Sequence, residues 1–142
     1  MLQKAPKFVA VSNFIKQKIE TKFEAKSVEV IPNSVSIRSY STTEKLPFEY
    51  VIAVGRLVQL KQFDRLIESY ANSNLPQKKI HLVILGIGEE QDKLEKKILD
   101  LKIETKVHLL GFKENVWDYI SNAKFSVLSS QYEGFPMTIL ES

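Results

Sequence analysis

The sequence has no cysteine in its 142 residues, which excludes disulfides and thiolate metal sites and fits a reducing compartment. No run of about 18 apolar residues occurs, so no segment reads as a membrane-spanning helix. The first fourteen residues, MLQKAPKFVAVSNF, hold only a strand-sized apolar run at 8–11. They lack the apolar stretch and small-residue cleavage site of a signal peptide. Arginine is scarce: Arg38, Arg56 and Arg65 stand against seventeen lysines. Proteins that read nucleic acid lean on arginine for bidentate contacts and gather their charge on one face. Here the lysines alternate with carboxylates, as in Glu90-Gln91-Asp92-Lys93-Leu94-Glu95-Lys96-Lys97, the pattern of a solvated helix face. Nucleic acid is therefore not an expected partner. The net charge of +3 leaves open a weak peripheral contact with an anionic membrane surface.

The apolar content of 44% and the length suit one globular domain with a core. Residues 7–11 read as a short strand. Ser12 suits a helix N-cap, and Ile15, Ile19 and Phe23 form one apolar stripe behind it. Residues 28–31 read as a second strand, ended by Pro32-Asn33-Ser34. The polar stretch 34–47, rich in serine and threonine and closed by Pro47, is the best linker candidate.

Beyond it the pattern is regular. Apolar runs at 50–54, 80–85, 107–110 and 125–129 each lead into a loop containing glycine. Helical stripes stand between them: Phe63, Leu66, Ile67, Tyr70 and Ala71; then Leu94, Ile98 and Leu101; then Val116, Tyr119, Ile120 and Ala123. A last helix is expected from Pro136 through Met137, Ile139 and Leu140. Four strand–helix units in a row predict an α/β fold: a Rossmann-like parallel sheet with helices on both faces. Ligands of such sheets bind outside the carboxyl ends of the strands. The loops to inspect are Gly55-Arg56, Gly86-Ile87-Gly88, Gly111-Phe112-Lys113, and Glu133 to Met137.

Arg56 directly follows the first of these four strands, and Lys61 stands near the next helix start. Together they could form an anion site, or be two solvent-facing basic residues. Gly86-Ile87-Gly88 lacks the third glycine of the dinucleotide fingerprint, since Gln91 stands there. It reads as a tight turn. Glu133 and Glu141 could be a catalytic pair, acceptors for hydroxyl-rich ligands, or plain surface glutamates. His81 and His108 occupy strand positions and read as sheet residues, with no Cys, Asp or second His nearby to complete a metal site. Ser129 and Ser130 have no base at suitable spacing, and Gly-x-Ser-x-Gly is absent, so a hydrolase elbow is unsupported.

Read in order, Val54-Gly55-Arg56-Leu57 with Lys61, Leu85-Gly86-Ile87-Gly88, Leu110-Gly111-Phe112, and Ser129-Ser130 through Tyr132-Glu133-Gly134-Phe135-Pro136 and Glu141 resemble the family 4 (group 1) glycosyltransferases of the GT-B fold. Glu133 and Glu141 match that family's E-x7-E motif. Val11-Ser12 and Val30-Ile31-Pro32-Asn33-Ser34-Val35 resemble the stretch leading from the acceptor domain into the donor domain. Gln62 and Ser34 depart from the pattern, each standing where the family usually has glycine.

The resemblance implies a fragment. Residues 1–45 would be the tail of the N-terminal acceptor domain plus linker, and 46–142 a truncated nucleotide-sugar-binding domain. The rest of the acceptor domain would be missing. It implies a retaining transferase that passes a sugar from a UDP- or GDP-sugar to a glycan or lipid-linked acceptor, in surface polysaccharide or lipopolysaccharide assembly. No cofactor or metal would be required, and positive side chains would take a metal's place. Arg56 and Lys61 would hold the diphosphate. Glu133 would bond sugar hydroxyls and Glu141 the ribose. Backbone at Gly134, Phe135, Met137 and Thr138 would line the donor, with Phe112 and Lys113 beside the base. Glu133, Arg56 and Lys61 would carry the chemistry. The expected place is the cytoplasm, or the inner face of the membrane. Alternatives are a non-catalytic nucleotide-sugar-binding fragment and a GT-B sugar-nucleotide epimerase. With half the cleft absent, the chain alone is expected to transfer little or no sugar.

Overall fold

A computed structural model describes residues 8–34 and 45–132, which fall into two compact units. The expected linker falls mostly on 35–44, and the last helix wholly on 133–142. Both lie outside the described residues.

The first unit is a single βαβ turn. Strand β1 (Phe8–Ala10) pairs in parallel with β2 (Val28–Val30). Helix α1 (Asn13–Phe23) connects them. The Ser12 hydroxyl caps α1 by accepting from the Ile15 backbone N–H at 3.3 Å, as its residue type predicts. The expected apolar stripe is only partly realised: Ile15 and Ile19 are half-buried, but Phe23 is 62% exposed. The reason is the thin partner, because two three-residue strands cannot cover about three turns of helix.

The second unit is built on a parallel sheet. β3 (Tyr50–Val54), β4 (His81–Leu85) and β5 (Val107–Leu109) lie in that order, with β4 central. On the far side of β3, residues 124–127 run parallel to it. Lys124 N–H donates to Tyr50 O, Ile52 N–H to Phe125 O and Val127 N–H to Ile52 O, at 2.8, 3.1 and 2.7 Å. The expected fourth strand is thus present as a single bridge, Ile52 to Ser126, rather than as a full strand over 125–129. Its exposed Phe125 and Leu128 give it little to bury. The other strands match their expected positions to within a residue.

The strands alternate their side chains between two cores. Val51, Ala53, Leu82 and Ile84 pack with Phe63, Ile67 and Tyr70 of α2 (Phe63–Ala71) and Leu94 and Ile98 of α3 (Gln91–Asp100). Tyr50, Ile52, Val83 and Leu85 pack with Tyr119 and Ile120 of α4 (Val116–Asn122). Burial on both faces explains why YVIAV and HLVIL read as unbroken apolar runs. Buried tyrosine hydroxyls lock the layers. Tyr50 donates to Tyr119 O at 2.7 Å. Tyr70 reaches Ile80 O at 3.0 Å and Lys106 O at 3.3 Å, and burial pushes its pKa up to about 12. The result is the expected α/β fold with helices on both faces.

Candidate functional site

The order of the sheet fixes where a ligand can sit. The chain enters at β3, steps outward to β4 and β5, then returns to the opposite side of β3 at 124–127. The switch point therefore lies between the carboxyl end of β3 and the residues after 127, and a crevice is expected there.

Main-chain bonds continue past the strand ends and tie the loops together. Gly55 N–H donates to Leu85 O, and Gly86 N–H to Gly111 O, at 2.9 and 2.8 Å. Leu57 N–H donates to Ile87 O and accepts, through its own carbonyl, from Glu90 N–H, both at 3.0 Å. This closeness needs glycine. A Cβ on Gly86, whose φ is +141°, would lie 1.9 Å from Gly55 O. One on Gly88 would lie 2.3 Å from Leu57 O. The G-x-G is thus a tight turn, as its sequence suggested, and it also serves as the seat for the loop bearing Arg56.

Arg56 is exposed on that loop. A 3-10 turn, Gln59–Lys61, follows, and Gln62 links it to α2 in the left-handed conformation, φ 51° and ψ 38°. Lys61 is half-buried, with its stem laid along Gly55. A Cβ on Gly55 would lie 3.4 Å from Lys61 Cε. From across the switch point, the Ser129 hydroxyl donates to Lys61 O at 2.7 Å and Gln131 N–H to Leu60 O at 2.9 Å. Phe112 follows β5 on the same edge and is 67% exposed, while Lys113 Nζ lies 5.9 Å from the Tyr119 ring centroid. Arg56 and Lys61 therefore share one loop, and Phe112 and Lys113 stand two strands away with the β4 loop between. Glu133, Gly134, Phe135, Met137, Thr138 and Glu141 lie outside the described residues. The sequence offers Ser129 only as an unsupported nucleophile and gives no sign of Gln131, because no spacing signal links either to residues about seventy positions earlier.

One expectation is corrected. His81 and His108 come together, Nδ1 to Nε2 at 2.8 Å, with Phe48 stacked on both rings at 4.1 and 4.7 Å. Parallel pairing of β4 with β5 brings them into reach despite a separation of 27 positions. Burial pushes both imidazoles below their ordinary value, helped by Lys106 at His81 and by His81 at His108. His81 opens β4, at the opposite end from Gly86, so the pair is remote from the edge. Among the described residues, no cluster of three or more His, Cys, Asp or Glu could hold a metal. A cavity of about 430 Å³ beside Phe48, Glu49 and Lys124 also lies at the amino end of β3, away from the switch point.

Residues 39–142 match the family model for glycosyl transferases group 1. The chain belongs to that family. It is 33% identical over 121 residues to the N-acetylgalactosamine-N,N'-diacetylbacillosaminyl-diphospho-undecaprenol 4-alpha-N-acetylgalactosaminyltransferase of Campylobacter jejuni, covering 82% of this chain and 32% of that one. It is 36% identical over 92 residues to the lipopolysaccharide core biosynthesis glycosyltransferase LpsE of Rhizobium meliloti, covering 65% and 26%. A structure of Staphylococcus aureus TarM, solved with fondaparinux, alpha-GlcNAc-glycerol and UDP, superposes with a TM-score of 0.83 at 26% identity, over 94% of this chain and 27% of that one. The fold is that of the GT-B glycosyltransferases. The chain spans about a quarter to a third of the length of these relatives.

Proposed function

We propose that this chain supplies the nucleotide-sugar donor site of a retaining family 4 glycosyltransferase. The observation that carries the reading is the placement of Arg56 and Lys61 on one loop at the switch point of a group 1 glycosyltransferase sheet. Breaking the sugar–phosphate bond gathers negative charge on the diphosphate and positive charge on the sugar. Fixed cations aimed at the leaving group favour that change. Arg56 offers a planar fork and Lys61 a point charge, so the pair stabilises the departing diphosphate without a metal. Phe112, exposed on the loop after β5, is suited to lie against the base, with Lys113 beside it. Glu133 and Glu141 act as charge-assisted acceptors for the sugar and ribose hydroxyls, and backbone at Gly134, Phe135, Met137 and Thr138 binds the same donor.

The donor is a UDP- or GDP-sugar, and the TarM complex with UDP supports that class. The acceptor is a glycan or a lipid-linked glycan, supported by relatives named for an undecaprenol-linked saccharide and for lipopolysaccharide core. Residues 46–142 form the donor-binding domain, and 1–45 the end of an acceptor domain whose remainder completes the cleft. The 142 residues alone bind donor but transfer little sugar. The place of action is the cytoplasm or the inner face of the membrane.

Calorimetry of the chain with UDP and GDP tests the reading. Arg56→Ala and Lys61→Ala each weaken binding about tenfold or more, since a charge-assisted contact contributes about 1.5–3 kcal/mol. Unchanged affinity in both variants refutes the phosphate assignment. In the protein that includes the acceptor domain, the same changes lower turnover by a similar factor. A changed sugar released without acceptor would point to an epimerase instead.

A further inference from the structure

The 3-10 turn Gln59–Lys61 has an unusual set of partners. A turn of three residues leaves its last carbonyls without N–H donors from the turn itself. Gln59 O is taken by Gln62 N–H within the turn, at 3.1 Å. Leu60 O and Lys61 O are taken from the other side of the switch point, by Gln131 N–H and by the Ser129 hydroxyl. Two consecutive carbonyls of the lysine-bearing turn are thus held by a segment 68 and more positions away in sequence. The bond from Ser129 is the shorter of the two, and it is the one that a side chain supplies.

We propose that Ser129 is a positioning residue for Lys61. Its hydroxyl fixes the Lys61 carbonyl, and with it the direction in which the lysine stem leaves the turn along Gly55. Without the hydroxyl, the carbonyl turns towards water and the stem swings off the glycine. The ammonium keeps its charge but loses its place. The proposal rests on the reading of Lys61 as a diphosphate ligand. It adds that this ligand is held from the last segment of the sheet, so the two sides of the crevice are set together.

The test is a double-mutant cycle read by calorimetry with UDP and GDP on the 142-residue chain. Ser129→Ala weakens nucleotide binding roughly fivefold, the loss of about one hydrogen bond's worth of placement. Ser129→Thr, which keeps a hydroxyl, restores binding to within about twofold. Lys61→Ala combined with Ser129→Ala binds no more weakly than Lys61→Ala alone, because Ser129 acts only through the lysine. A purely structural role for Ser129 would lower the affinity again in the Lys61→Ala background. That additive result overturns the proposal, as does full affinity in Ser129→Ala or failure of the threonine to rescue. If the unaltered chain binds neither nucleotide, the donor-site reading itself falls. If it binds and only the Ser129 variants behave otherwise than stated, that reading stands and the positioning role alone is refuted.

Discussion

Alanine at Gly88 would drive a methyl group into the main chain of the neighbouring loop. The new Cβ would lie 2.3 Å from Leu57 O, 2.7 Å from Leu57 C and 2.8 Å from Leu57 N. All three are backbone atoms of a residue that is 1% exposed, so no flexible side chain can yield. The gap must open to at least 3.0 Å. Leu57 is held there by two bonds of 3.0 Å, its N–H to Ile87 O and its carbonyl from Glu90 N–H. Opening the gap stretches both, at about 1 kcal/mol each, and draws the Leu57 side chain out of the core packed by α2 and α3. The expected loss is about 2–3 kcal/mol. Urea denaturation followed by circular dichroism measures it, with an unchanged slope confirming that the denatured state is not the cause. The thermal midpoint should fall by roughly 7–10 °C. Gly111→Ala is the control, because a Cβ there meets nothing within 4 Å and only its φ of +70° is strained. That variant loses about 1–2 kcal/mol. A Gly88→Ala loss below about 0.5 kcal/mol would refute the claim that the two loops are in forced contact.

Gln62→Gly should stabilise the protein by about 0.5–1 kcal/mol, because Gln62 sits at φ 51° and ψ 38°, which glycine adopts without strain; the same denaturation series reads it. Tyr70→Phe should cost about 1–2 kcal/mol, since Ile80 O and Lys106 O lose a donor at a largely buried site; a loss under 0.3 kcal/mol would contradict that. His81 and His108 have lowered pKa values in the fold, so the unfolded chain binds more protons as pH falls. Their contribution is therefore complete above about pH 6.5, the ordinary histidine value, and is lost as pH drops through the lowered folded values. Thermal midpoints between pH 8 and 5 should fall on the acid side, and His108→Gln should flatten that fall.

The parts of this protein legible in sequence are those set by neighbours along the chain. The runs 50–54 and 81–85 announce themselves because both faces of each strand are buried, and a glycine marks each exit. Arg56 and Lys61 share a loop, so their association needed no knowledge of the sheet. The segment 125–129 reads as a full strand because its apolar residues suggest burial that an outer position does not provide. The Phe23 stripe failed for the same reason, the want of a surface to cover it. The histidine pair and the Ser129–Lys61 bond depend on which strands lie side by side, and no local pattern states that. The position of Gln62 was visible as a departure from the family pattern. Its meaning became clear only with its backbone angles, which show why glycine is the usual choice there.

The rim of the sheet is joined by amide-to-carbonyl bonds from Gly55, Leu57 and Gly86 to the neighbouring loops. None of these bonds uses a side chain. Exposed positions on the rim, such as Ile87 and Phe112, can therefore change their chemistry while the frame beneath keeps its shape. Such positions can be altered singly without passing through an unfolded intermediate form. The freedom to diversify lies in the protruding groups, and the constraint lies in the few glycines that let the strands' ends touch.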